Sequence, residues 1–165
     1  MDTKEIKKKR IFAAASFGGH WKQLLRITKP LEERFEVVYA STHPKSSMMI
    51  GNRNFYLMGD FNRKDAWRMV PAFFRLLLIL YREHPSAVLT TGAAPGLVCV
   101  LAGCFLRYKT IWVDSSANIE HLSVCGRIAR HFVSRIYTQW PDLAGQGIVY
   151  AGNVWGEVKC DKIEH

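Results

Sequence analysis

Three short clusters hold the residue types that chemistry needs, and each follows a run that reads as a strand. The first is Ser16-Phe17-Gly18-Gly19-His20. Two glycines at a strand-to-helix turn leave backbone N–H groups bare at the positive end of a helix, where a phosphate is stabilised by hydrogen bonds and the helix dipole. The same glycines can equally serve only to make a tight turn. His20 can donate to a phosphate or move a proton near neutral pH, or it can be an ordinary neighbour of a helix cap. The pattern matches neither G-x-G-x-x-G nor G-x-x-x-x-G-K-[ST], so neither a dinucleotide nor a P-loop nucleotide is supported.

The second cluster is Thr90-Thr91-Gly92, with Ala93-Ala94-Pro95-Gly96 opening the next helix. Small residues and a proline there suit a close backbone approach by a ligand, or plain punctuation between strand and helix. The third is Asp114-Ser115-Ser116, with Asn118, Glu120 and His121 close behind. A carboxylate at a strand end can act as a general base or bind sugar hydroxyls. Asp, Ser and Asn also cap helices well, so the structural reading stands beside the chemical one. A fourth polar turn, Gln139-Trp140-Pro141-Asp142, follows a later strand. No Ser-His-Asp order and no metal-ligand spacing appears. The four cysteines (Cys99, Cys104, Cys125, Cys160) form no C-x-x-C pair and read as reduced core thiols; no metal or cofactor is expected.

These turns need a scaffold that brings them to one edge, and the hydrophobic pattern supplies it. Strands are expected at 10–16, 36–40, 54–58, 87–90, 109–113, 135–138 and 147–150. Helical spacing covers 21–35, where Trp21, Leu24, Leu25, Thr28 and Leu31 recur, then 65–82, 93–106 and 127–133. Pro71 either sits in the first turn of the second helix or kinks it. Strands alternating with helices predict an α/β, Rossmann-like, mostly parallel sheet with helices on both faces. In such a sheet ligands bind beyond the carboxyl ends of the strands, where the clusters fall. The 165 residues, 48% hydrophobic, fit one domain over 1–165, with a basic segment at 1–9 and a tail at 151–165 that can contact a partner.

The net charge of +9 asks for an anionic partner but does not choose among nucleic acid, phosphate ligand and anionic membrane. The start, MDTKEIKKKR, lacks the apolar run of a secretory signal, which predicts a chain that stays in the cytoplasm. The run 93–106 is too short to cross a bilayer. Arg68, Arg75 and Arg82 recur every seven residues beside Trp67 and many apolar residues, with Lys64 in line. That helix suits either an anionic lipid interface, its arginines reaching headgroups, or a buried position with a solvated basic edge. A non-catalytic module binding nucleic acid through basic residues and tryptophans is the alternative of another class. It leaves the strand-end clusters unexplained, so no nucleic-acid partner is expected.

In order along the chain, ASFGGHWKQLL, VLTTGAAPG, TIWVDSSANIEHLS and YTQWPDLA resemble the small, membrane-associated subunit of two-chain GT-B glycosyltransferases. That family includes the eukaryotic anchoring subunit of the dolichol-linked GlcNAc transferase and PssD-type exopolysaccharide proteins. More distantly the chain is similar to the amino-terminal half of MurG. The resemblance implies one Rossmann-like half of a GT-B enzyme, inactive or nearly so alone, on the acceptor side. A second glycosyltransferase chain would hold the UDP-sugar, and the acceptor would be a polyprenyl-diphosphate-linked saccharide.

By position, Ser16, Gly18, Gly19, Thr91 and Gly92 would face the acceptor diphosphate. Ser115, Asn118 and Glu120 would bind the acceptor, and Asp114 and His20 would be catalytic, Asp114 taking the acceptor proton or orienting the acceptor and His20 stabilising phosphate charge. Many relatives have Glu where this chain has Asp114. Eukaryotic members begin with a membrane anchor that is not read in this sequence. This leaves Trp67, Arg68, Arg75 and Arg82 as the expected contact with the cytoplasmic face of the membrane.

Overall fold

The structure, a computed structural model, describes residues 8–61 and 63–156. The basic residues of 1–7, the side chain of Lys64 and the tail 157–165 with Cys160 lie outside the description. Seven strands form one sheet: β1 (Lys9–Ala15), β2 (Phe35–Ser41), β3 (Phe55–Leu57), β4 (Ala87–Thr90), β5 (Lys109–Val113), β6 (Arg135–Thr138) and β7 (Ile148–Tyr150). Every pairing is parallel, in the order β3-β2-β1-β4-β5-β6-β7. The central strands are apolar almost throughout, as burial on both faces requires.

Alternation along the strands sorts the core into two layers. Phe12, Ala14, Val38, Val88, Trp112 and Ile136 face one side and pack under α2 (Met69–Glu83), α3 (Ala93–Phe105) and α4 (Val124–Ala129). Ile11, Ala13, Val37, Tyr39, Leu89 and Val113 face the other, where α1 (Gly19–Leu31) lays down Trp21, Leu24 and Leu25. Between α1 and the segment 151–154 that second face carries an apolar trough of about 310 Å³, lined by Ile27, Leu31, Leu89, Ile111, Val113 and Val154.

Strand positions follow the sequence pattern to within a residue. Two helices differ. The expected helix at 65–82 is a 3-10 turn, Arg63–Arg68, running into α2, and Pro71 sits in the first turn of α2 rather than kinking it. The helix expected at 127–133 lies earlier, at Val124–Ala129, because the Ser123 side chain accepts from Gly126 N and caps it there.

Candidate functional site

The strand order reverses between β1 and β4, which are neighbours although α1, β2, β3 and α2 separate them in sequence. At such a switch point the two outgoing loops diverge to opposite faces and leave a crevice between them. Here the loop after β1 enters α1 and the loop after β4 enters α3. Both helices start on glycine, Gly18 at φ 104° and Gly92 at φ 120°, a region in which glycine alone is unstrained. Neither start has a side-chain cap or an acidic residue in its first turn. Two helix N-termini with bare N–H groups therefore meet at one crevice, which is favourable for anionic groups.

His20 and Thr91 lace the two loops together. The Nδ1 of His20 lies 2.7 Å from the carbonyl oxygen of Thr91, and the Thr91 hydroxyl donates to the carbonyl oxygen of His20 at 2.7 Å. A carbonyl can only accept, so Nδ1 carries the proton and Nε2 of the neutral ring is left with its lone pair. A Cβ on Gly92 would sit 3.0 Å from His20 Cε1, so the absence of a side chain at residue 92 makes room for the ring. Ser16 lies half-buried at the end of β1 beside these glycines.

Asp114 is 2% exposed, and its carboxylate accepts four hydrogen bonds. The donors are Trp112 Nε1 at 3.0 Å, Asn118 Nδ2 at 3.2 Å, Ser123 N at 2.8 Å and Ser123 Oγ at 2.6 Å. Of the two readings left open by the sequence, these bonds are those of a residue that organises its loop and the start of α4. Gly126 is needed beside it, since a Cβ there would meet Asp114 Oδ1 at 2.7 Å. The backbone oxygen of Asp114 accepts from Gln23 Nε2 at 3.0 Å, which ties this loop to α1 one turn below His20.

The remaining expected residues divide. Ser115 accepts from Ala117 N through its hydroxyl and from Asn118 N through its carbonyl, so Ser115 and Asn118 belong to the same turn. Glu120 is exposed and lines an outer depression with Asn118, His121 and Arg127. Trp67, Arg68, Arg75 and Arg82 are exposed around α2. Of α2, only Leu76, Ile79 and Leu80 are buried, while Val70, Phe74, Leu78 and Tyr81 stand about 60% exposed. Among the described residues no helix is long and apolar enough to cross a membrane, and no group of three His, Cys, Asp or Glu is placed to hold a metal.

The sequence pattern marked Gln139 only as part of the fourth polar turn, and did not single out Gln23 or Trp155. Gln23 lies off the stripe of Trp21, Leu24, Leu25 and Thr28 and is 2% exposed only because the Asp114 loop covers it. Trp155 carried no signal, because its contacts arise only when the segment after β7 folds back over the strand ends.

No protein-family model matches the chain. It is 26% identical over 154 residues to the UDP-N-acetylglucosamine transferase subunit alg14 of Schizosaccharomyces pombe, covering 77% of this chain and 73% of that one. The corresponding subunit of Yarrowia lipolytica is 22% identical, with 77% and 71% covered. Among solved structures, Acinetobacter baumannii MurG superposes with a TM-score of 0.74 at 15% identity over 86% of this chain. The UDP-N-acetylglucosamine 2-epimerase of Rickettsia bellii gives 0.70 at 11% over 90%. The chain spans less than half of either solved structure, 45% and 46%, and at these identities the likeness is one of fold. Along most of its length the chain is thus similar to small subunits of UDP-N-acetylglucosamine transferases, on a Rossmann-like fold shared with MurG.

Proposed function

We propose that this chain is the acceptor-binding, membrane-docking subunit of a two-chain glycosyltransferase. The enzyme would transfer a sugar, GlcNAc by analogy with the relatives' names, from a UDP-sugar to a polyprenyl-diphosphate-linked saccharide. The observation that carries this reading is the His20–Thr91 joint across the β1/β4 crevice, between two uncapped glycine-started helices. The acceptor diphosphate sits against the N–H groups beyond Gly18 and Gly92, and Ser16 and Thr91 border it.

His20 Nε2 takes the proton of the acceptor hydroxyl as that oxygen bonds to the anomeric carbon. The bond from that carbon to UDP breaks, and UDP leaves with the electron pair. The Thr91 carbonyl, holding Nδ1–H, fixes the tautomer and stabilises the imidazolium that forms. Asp114 serves this chemistry by holding Ser115 and Asn118 in place. The donor lies in the second chain, which closes over the strand ends.

The apolar stripe of α2, flanked by Arg68, Arg75 and Arg82, rests on the anionic cytoplasmic face of the membrane as a peripheral contact. The chain is tested with a candidate donor-side glycosyltransferase chain from the same organism, on UDP-GlcNAc and a short polyprenyl-diphosphate monosaccharide. Transfer is expected from the pair and not from either chain alone. Transfer by this chain alone, or affinity for single-stranded DNA above that for anionic vesicles at matched salt, would overturn the reading.

A further inference from the structure

Ser116, in the middle of the 114–118 turn, is held from outside its own loop by two indoles. Trp140 Nε1 donates to the Ser116 carbonyl oxygen at 2.9 Å, and Trp155 Nε1 donates to the Ser116 hydroxyl at 3.0 Å. Trp140 follows β6. Trp155 belongs to the segment after β7, which is pinned to the buried Gln139: Val154 N donates to Gln139 Oε1 at 2.8 Å, and Gln139 is 2% exposed. On its outer side the Trp155 ring carries the Arg26 guanidinium, 4.4 Å from the ring centroid, a cation–π contact reaching from α1. Arg26 also donates to the Val154 carbonyl at 3.4 Å.

The turn therefore has three anchors. Asp114 fixes its start from within the sheet, Trp140 holds its middle by the Ser116 carbonyl, and Trp155 holds it by the Ser116 hydroxyl from a distant segment of the chain. Trp155 is nevertheless 39% exposed, more than a residue kept only for burial needs. We infer that Trp155, roofed by Arg26, is a positioning residue that sets the geometry of the acceptor turn through Ser116, so that Ser115 and Asn118 meet the acceptor in register. This rests on the proposed acceptor role of that turn.

The discriminating experiment compares Trp155→Phe, which keeps a ring but removes the N–H, with Ser116→Ala, which removes the receiving hydroxyl. Ser116→Thr, which keeps the hydroxyl, and the double variant complete the set. In the reconstituted pair, each of Trp155→Phe and Ser116→Ala should raise the KM for the polyprenyl-diphosphate monosaccharide about fivefold, the effect of one neutral hydrogen bond. kcat and the KM for UDP-GlcNAc should stay within about twofold. The double variant should be no worse than either single, because both delete one bond, and Ser116→Thr should behave as wild type.

In the isolated chain, amides 115–118 should exchange faster in both single variants while those of β4 and β5 do not. Additive single effects, a changed donor KM, or faster exchange spread through the sheet would overturn the inference. If the wild-type pair transfers no sugar, the transferase reading fails. The exchange pattern then still decides whether Trp155 holds the turn.

Discussion

At the scale of single residues, His20 and Asp114 separate by what their atoms are already doing. One nitrogen of His20 is committed to Thr91, and the other is left with its lone pair. Both oxygens of Asp114 are taken up by four donors. His20→Ala should therefore lower turnover of the pair by a hundredfold to ten-thousandfold, the usual loss for a general base, while costing the isolated chain only the one hydrogen bond to Thr91, about 1–3 kcal/mol. Gly92→Ala should follow the same direction for a different reason: its Cβ would crowd the imidazole at 3.0 Å in backbone at φ 120°. Asp114→Ala should act on stability first. It strands the buried N–H of Trp112 and the amide of Ser123, at about 1–3 kcal/mol for each group left unpaired, and a thermal melt of the chain without its partner reads this directly. The sequence showed both residues as chemically capable. It could not show that Trp112, Asn118 and Ser123 converge on one carboxylate, because that depends on how a ten-residue loop closes.

At the scale of elements, α2 shows how much a periodic pattern discloses. Its arginines at seven-residue spacing and its excess of apolar residues were visible in the sequence, and the structure adds that Val70, Phe74, Leu78 and Tyr81 lie outside the core. If this stripe meets lipid, each of Arg68, Arg75 and Arg82 contributes about 1 kcal/mol at an anionic surface. Changing all three to Glu should release the chain from anionic vesicles in a flotation assay without altering its circular dichroism. Helix α3 behaves oppositely, being buried almost all round, and burial pushes its Cys99 thiol up to about 12 from an ordinary 9.0. Between those values the unfolded chain gives up this proton and the folded chain keeps it. Stability should then fall as pH rises above about 9, and Cys99→Val, close in volume, should flatten part of that fall in alkaline melts. Strand positions were legible because each is a short apolar run bounded by turn residues. The shift of α4 to an earlier start was not, since the Ser123 cap competes with an apolar pattern that continues past Ala129.

For the whole molecule, the two faces of the sheet are unequally covered, and this bears on why the chain would work in a pair. A parallel sheet is stable when both faces are shielded. Among the described residues three helices shield one side, whereas on the other α1 and the segment 151–154 leave an apolar trough between them, lined by Leu89, Ile111 and Val113. The apolar strands announced in the sequence that both faces would be covered. They could not announce that the covering on one face would be incomplete, because no residue of β4 or β5 encodes what lies above it. A second chain that binds only the folded form adds stability by mass action, about 2.7 kcal/mol when its concentration is a hundredfold above Kd. For a domain of this size that corresponds to a rise of roughly 5–10 °C in Tm. Titrating the purified second glycosyltransferase chain into this one should therefore raise Tm in a concentration-dependent way. His20→Ala should show the same rise, since it removes a proton acceptor and not a contact between chains. A Tm that does not respond at concentrations where the pair is active would mean that the two chains meet only through substrate or membrane, and the split-enzyme reading would have to be rebuilt on that basis.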